Sequence, residues 1–359
     1  MSIHFEQLRV KEVRKETSDC VSIAFEIPSQ LQEKFKFIQG QYITLRTKIA
    51  NEEVRRSYSV CSSPLDHELR VAVKQVTNGV FSTFANTALK KGDVLDVMPP
   101  MGKFFTPLHA EQKKNYVGFA AGSGITPLLS IIKTTLLTEP QSHFTLVYGN
   151  RNRHSIIFRE ALEALKNKYM NRFRLIHILS REKMDTVLNT GRIDAAKCHS
   201  LFEKTVDISQ TDEFFLCGPE EMIFSIKEVL ETKGVDHKKI HFELFTSPGQ
   251  DKKRQTIQAT DTDTQPKSSI TVKLDGISFD FDLAKNGLAI LDAALQNGAD
   301  LPFACKGGVC CTCRAKLVSG EVRMDVNYGL EPDEIEQGFI LTCQSHPLSE
   351  KVIVDFDVK

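Results

Sequence analysis

The sequence predicts a multidomain chain: a small antiparallel β-barrel, then an α/β domain built on a parallel sheet, then a compact α+β module. Three observations predict it. At 359 residues the chain exceeds what one ordinary core serves, so two or three domains are expected. Its hydrophobic runs change character along the chain, from many short strand-like segments to strands that alternate with helical stretches. Before the C-terminal cysteines comes one long stretch without an apolar pattern, SPGQDKKRQTIQATDTDTQPKSS, in which Ile257 is the sole large aliphatic residue.

Each element follows in order. Over residues 1–108, LRVKEVRKE, CVSIAFEIP, QYITLRTKI, RRSYSVCSS, ELRVAVKQV and VLDVMPP read as strands set off by turn residues, and FSTFANTAL as one helix. Many short strands with a single helix suit a small antiparallel barrel. Over 109–246 the strands NYVGFAAG, HFTLVYGN, FRLIHILS, EFFLCG and IHFELF alternate with the helices TPLLSIIKTTLL, IIFREALEALKNKY and PEEMIFSIKEVLETKG. That alternation predicts a parallel sheet wrapped by helices. Residues 247–268, rich in Gln, Thr, Asp and Lys, read as a flexible linker. Over 269–359, SITVKLDGISFDFDL, the helix AILDAALQNG, a cysteine loop, CRAKLVSGEV and VIVDF make a mixed module, with no internal repeat.

With 41% hydrophobic and 26% charged residues the chain has a globular profile, which excludes disordered and fibrous classes. The opening MSIHFEQLRVKEVRKE lacks the apolar stretch of a signal peptide. No later window approaches the roughly 18 apolar residues of a membrane span. A cytoplasmic location is expected, with neither membrane nor nucleic acid as partner; clustered thiols then read as metal ligands or redox groups rather than structural disulfides. The zero net charge conceals an asymmetry: residues 268–359 hold 8 Lys and Arg against 14 Asp and Glu, leaving 38 against 32 for the rest. An acidic module is tied to a basic body, through scattered surface charge or a field that steers partners.

Four of the nine cysteines lie in ADLPFACKGGVCCTCRAKLVSGEV, spaced Cys305-x4-Cys310-x2-Cys313, and Cys343 follows 30 residues later in ILTCQS. This spacing is the plant-type pattern for a 2Fe-2S cluster, in which each iron takes two thiolates. Gly307 and Gly308 let the chain pass close to the inorganic sulfides, so that main-chain N–H groups tune the potential. Structural zinc wants two separated Cys-x2-Cys pairs, and only Cys310 and Cys313 qualify. A dithiol redox pair leaves Cys305, Cys343 and the glycines unexplained. Cys311 falls outside the pattern and reads as a small hydrophobe beside the cluster.

Two further sets of residues carry a resemblance. Arg56-x-Tyr58-Ser59 ends a barrel strand, and Gly79-Val80-Phe81-Ser82 opens the helix downstream. A glycine at a helix N-terminus gives phosphates access to backbone N–H groups. AAGSGITPLLSII places Gly122, Ser123, Gly124 and Thr126 at a strand-to-helix turn, and FFLCGPEEM places Cys217-Gly218-Pro219 at the end of another strand. Together these resemble the ferredoxin-NADP reductase family. The resemblance implies FAD, with Arg56 on its pyrophosphate, Tyr58 on its isoalloxazine and Ser59 near its N5. It sets Cys217 beside the nicotinamide and closes the domain with Glu243 and Phe245, the latter stacking on the flavin ring where plant-type members have a C-terminal tyrosine. For the C-terminal module it implies a β-grasp ferredoxin fold.

After the strand RLIHIL comes Ser180-Arg181, where an NAD-specific site usually carries an acid for the ribose hydroxyls. A hydroxyl and a guanidinium suit a 2'-phosphate, and Arg151 or Arg153 of YGNRNR adds a second charge. NADPH is expected over NADH, with Glu182 as the residue that could reach a ribose instead. A nicotinamide gives up two electrons at once and a cluster accepts one; flavin converts between them. The order flavin, nicotinamide, cluster resembles the reductase components of bacterial multicomponent oxygenases, which implies a separate di-iron oxygenase as electron acceptor. The rival expectations are a reductase for another ring hydroxylase, a flavin- and cluster-bearing redox sensor, and a reductase that releases free flavin.

Overall fold

The computed structural model describes residues 4–245 and 266–358. Its first layer is made by β1 (Glu6–Thr17), β2 (Cys20–Glu26), β3 (Tyr42–Ile49), β4 (Glu52–Ser59), β5 (Leu69–Lys74), α1 (Val80–Thr87) and β6 (Val94–Val97). The strands form one six-stranded sheet in the order β4-β3-β6-β1-β2-β5. Its two outer strands meet where Val60, just past β4, bridges Val71 of β5, which closes the sheet on itself. The closed interior is aliphatic: Leu8, Val10, Ile23, Ile43, Leu45, Val71 and Val97 are fully buried. One side of α1 seals it with Phe81 and Ala85.

The second layer comprises β7 (Asn115–Ala121), α2 (Ile125–Thr138), β8 (His143–Asn150), α3 (Arg159–Lys168), β9 (Phe173–Leu179), α4 (Ala195–Lys204), β10 (Glu213–Gly218), α5 (Glu220–Thr232) and β11 (Ile240–Leu244). All its strands are parallel, in the order β11-β10-β7-β8-β9. The chain winds one way from β7 through β8 to β9 and the other way through β10 and β11. The crevice at the carboxyl ends of β7 and β10 is therefore the switch point at which open α/β sheets bind ligands. This sheet and the barrel share a core, in which Cys20, Cys61 and Phe104 join the α2 residues Leu128, Ile131 and Ile132.

The C-terminal unit holds β12 (Lys267–Leu274), β13 (Ile277–Ala284), α6 (Ile290–Gln296), β14 (Arg314–Ser319), β15 (Val322–Met324), α7 (Pro332–Glu336), β16 (Phe339–Leu341), β17 (Ser345–Pro347) and β18 (Lys351–Asp355). A five-stranded sheet, β13-β12-β18-β14-β16, is antiparallel except for the β12–β18 pair and grips α6 through Ile290, Leu291 and Ala294. This is the expected β-grasp arrangement.

Several details differ from the sequence reading. Helix α3 begins at Arg159, not at Ile156, because Phe158 stands at φ 60° and breaks the entry. Helix α4 was not expected; only Cys198 and Leu201 of it are buried, too weak an apolar stripe to read. The linker expected at 247–268 lies outside the described residues up to 265, while Lys267 and Ser268 already belong to β12.

Candidate functional site

Of the flavin-type residues, Arg56, Tyr58 and Ser59 lie at the end of β4, and Gly79, Val80, Phe81 and Ser82 open α1. Tyr58 lies against Phe81, with ring centroids 5.5 Å apart. Phe81 is itself buried in the barrel, so the tyrosine ring has a fixed floor. Arg56 is exposed and donates from Nη1 to its neighbour's carbonyl, Arg55 O, at 2.7 Å. Gly79 is the N-cap of α1, and no side chain caps the helix. The first N–H groups of a helix have no partners within it, so this end offers free donors to a pyrophosphate. An open cleft of about 450 Å³ lies there, lined by Asn78, Gly79, Val80, Thr83 and Phe84 among others. Ser82 is spent inside the turn: its Oγ donates to Gly79 O and accepts from Val76 N–H, both at 3.2 Å. Its hydroxyl shapes the loop.

The buried hydroxyl of Ser59 donates to Glu243 Oε2 at 2.7 Å, across 184 residues of chain. Glu243 lies on β11, in register with Cys217 on β10. Burial raises its carboxyl to about 7, against the lowering effect of the Ser59 hydrogen bond. Burial, and then the Glu243 charge, pushes the Cys217 thiol well up, so it stays neutral. Beside them a single turn, Gly122–Gly124, joins β7 to α2. A Cβ on Gly124 would stand 2.0 Å from Cys217 O, so only glycine lets the two turns touch. Gly122 takes φ 54°, and its carbonyl is held by the buried Tyr148 hydroxyl at 2.9 Å. Thr126 Oγ1 donates to Ser123 O at 3.0 Å and shapes the same turn. Pro219 is the N-cap of α5. Phe245 packs partly buried against the shared core.

At the ends of β8 and β9 the ladder continues past the strands. Ser180 N–H donates to Asn150 O at 2.9 Å and Arg181 N–H to Arg151 O at 2.8 Å, which ties the two segments that carry Arg151 and Arg181 together through the main chain. Arg153 is drawn elsewhere, into an ion pair with Glu182 at 2.9 Å.

In the C-terminal unit the thiols fall into two pairs. Cys305 and Cys310 lie with sulfurs 3.1 Å apart, and Cys313 interacts with Cys343. Among the described residues no three ligating side chains converge on one point as a single ion requires. Two pairs are what a binuclear centre needs. Within each pair the shared hydrogen bond lowers one thiol, Cys305 to about 6 and Cys343 below its ordinary value, and pushes its partner, Cys310 or Cys313, well up; the main-chain N–H groups of Gly307, Val309 and Cys310 add to the lowering at Cys305, and Gln344 with the Gly308 N–H to that at Cys343. Such donors favour thiolate and suit a cluster. Gly308, at φ 73°, would drive a Cβ to 2.5 Å from Val326 Cγ2. Cys311 is half-buried, and its carbonyl accepts from Arg314 N–H at 3.1 Å.

Sequence reasoning singled out no chemical role for Glu243 and missed Tyr148, Gln344 and Gly329. A Cβ on Gly329 would lie 2.7 Å from the Cys310 backbone, so this glycine lets a distant loop close over the cluster loop. The one available signal was Glu243 itself, an acid within the apolar run of IHFELF.

The two sites, a flavin and nicotinamide centre and a thiolate centre, define an oxidoreductase that moves electrons between cofactors. Comparison with known families agrees: residues 7–106 match the oxidoreductase FAD-binding domain, 119–228 the oxidoreductase NAD-binding domain and 272–348 the 2Fe-2S iron-sulfur cluster binding domain. The chain belongs to the ferredoxin-NADP reductase family, in the form that carries a C-terminal 2Fe-2S domain. It is 46% identical to one of the subunits of 1,2-phenylacetyl-CoA epoxidase from Escherichia coli (strain K12), over 99% of this chain and 98% of that protein. To the ferredoxin reductase component of 3-ketosteroid-9-alpha-monooxygenase from Rhodococcus rhodochrous it is 33% identical, over 97% and 96% of the two chains. Phthalate dioxygenase reductase shares the fold at a TM-score of 0.59 and 23% identity, with 98% of each chain covered. No helix of the described residues is long and apolar enough to cross a membrane.

Proposed function

We propose that this protein is the cytoplasmic electron-supplying reductase of a multicomponent oxygenase. It takes electrons from NADPH and delivers them through FAD and a 2Fe-2S cluster to a separate di-iron component that epoxidises phenylacetyl-CoA. The observation that carries the redox reading is the Ser59–Glu243 hydrogen bond of 2.7 Å. It joins the end of the flavin-type strand to the sheet strand beside Cys217, where the nicotinamide turn arrives. Flavin, when bound, accepts two electrons together and releases them singly.

The chain's own residues serve that chemistry. Arg56 and the uncapped N-terminus of α1 hold the pyrophosphate, Tyr58 backs the ring and Phe245 covers it. With a carboxyl raised to about 7, Glu243 Oε2 and Ser59 Oγ can hold a proton near neutral pH. Gly122, Ser123, Gly124 and Thr126 shape the turn that receives the coenzyme, and Cys217, Gly218 and Pro219 form its facing wall. Cys305, Cys310, Cys313 and Cys343 would hold the two irons of the cluster, one thiol pair to each.

NADPH is favoured because Arg151 and Arg181 lie on adjoining strand-end segments joined through the main chain while Glu182 is engaged by Arg153. The choice of oxygenase rests on the 46% identity to the epoxidase subunit from Escherichia coli. The test is reconstitution with phenylacetyl-CoA and 3-ketosteroid oxygenase components, scoring product formed per coenzyme consumed. Coupled epoxide formation is expected. Product only with the steroid enzyme would reassign the partner, and a fully loaded protein that fails to reduce ferricyanide or cytochrome c would make it a sensor.

A further inference from the structure

We infer that Arg153 sets coenzyme preference by locking the Glu182 carboxylate away from the coenzyme's ribose. The inference rests on the proposal that Arg151, Ser180 and Arg181 receive a 2'-phosphate. Glu182 stands three residues beyond the end of β9, where an acid that binds ribose hydroxyls would select NADH. Both of its oxygens are taken by one residue. Oε2 accepts the Arg153 main-chain N–H at 2.9 Å, and Oε1 pairs with Arg153 Nε at 2.9 Å.

An exposed ion pair alone contributes little and exchanges readily. This one is pre-set from both sides. Asn152 and Ser155 form a reciprocal capping box, each side chain accepting the other's N–H at 3.1 Å, which fixes the direction of the Arg153 N–H between them. On the other side, the Arg181 N–H to Arg151 O bond of 2.8 Å and the Ser180 N–H to Asn150 O bond of 2.9 Å hold the segment that carries Glu182. Among the described residues the Arg151 and Arg181 guanidiniums have no ion-pair partner. The lock therefore cancels the Glu182 carboxylate against the Arg153 guanidinium and leaves Arg151 and Arg181 for a phosphate. Released, the same carboxylate would repel the phosphate and accept ribose hydroxyls. Arg153 is thus a positioning residue that acts through Glu182.

The test uses the full-length holoenzyme. Calorimetry measures binding of adenosine 2',5'-bisphosphate and of AMP, and steady-state kinetics compares NADPH with NADH. In the wild type the bisphosphate and NADPH are expected to be preferred. Arg153→Ala is expected to lower both preferences about tenfold, chiefly through KM, since one uncompensated charge now faces the phosphate. Arg153→Ala combined with Glu182→Gln is expected to restore them to within about threefold, because the repelling charge is gone. An unchanged preference in the single variant, or a double variant as low as the single, would overturn the lock. A wild type that prefers AMP and NADH would instead overturn the 2'-phosphate reading beneath it.

Discussion

Replacing Gly124 by alanine probes whether the two strand-end turns must touch for electrons to leave the coenzyme. The added Cβ would stand 2.0 Å from Cys217 O, 2.5 Å from Cys217 C and 2.9 Å from Gly218 N. All three are main-chain atoms, so no side-chain rotation relieves the clash. Ordinary contact begins near 3.4 Å, and the turns must therefore part by more than about 1 Å. A displacement of that size at a reacting centre costs about a hundredfold in rate. Stopped-flow reduction of the flavin by NADPH should slow by about that factor in Gly124→Ala, with flavin content and cluster absorption kept. Gly122→Ala is the internal control: its Cβ would meet nothing closer than Lys74 Nζ at 3.7 Å, and only its φ of 54° is strained. A left-handed alanine costs about 1–2 kcal/mol, so its rate should fall less. The reasoning fails if Gly124→Ala, fully loaded with flavin, stays within threefold of wild type, or if Gly122→Ala is the slower of the two.

The other predictions concern charge and sulfur. Cys310→Ser should lose the cluster's visible absorption while Cys311→Ala retains it, and the reverse result would displace Cys310 from the ligand set. Glu243 makes stability depend on pH. Its carboxyl rises from 4.5 to about 7 on folding, so between those values the unfolded chain binds fewer protons and stability falls as pH rises, by at most about 3 kcal/mol. Glu243→Gln removes that loss. Melting curves should therefore show the wild type losing ground to the variant from about pH 4.5 to pH 7, with no further change above; parallel curves would contradict a raised carboxyl.

What could be read in advance follows from how far apart in sequence the cooperating atoms lie. Three of the four cluster cysteines share one short loop, so their spacing carries the chemistry directly, and Cys343 is found by asking for a fourth ligand. Alternating strand and helix patterns likewise report the parallel sheet, because each unit is local. The Ser59–Glu243 bond spans 184 residues and depends on the barrel docking onto the sheet and on β11 pairing beside β10. Hydrophobic patterning specifies neither register nor neighbour. The arginines show the same limit at finer scale. Arg151 and Arg153 are equivalent as charges in YGNRNR, and only the capping box, with the backbone bond beside it, marks Arg153 as the one committed to Glu182. Which guanidinium engages Glu182 is thus a property of the folded chain, and no count of charges along YGNRNR reports it.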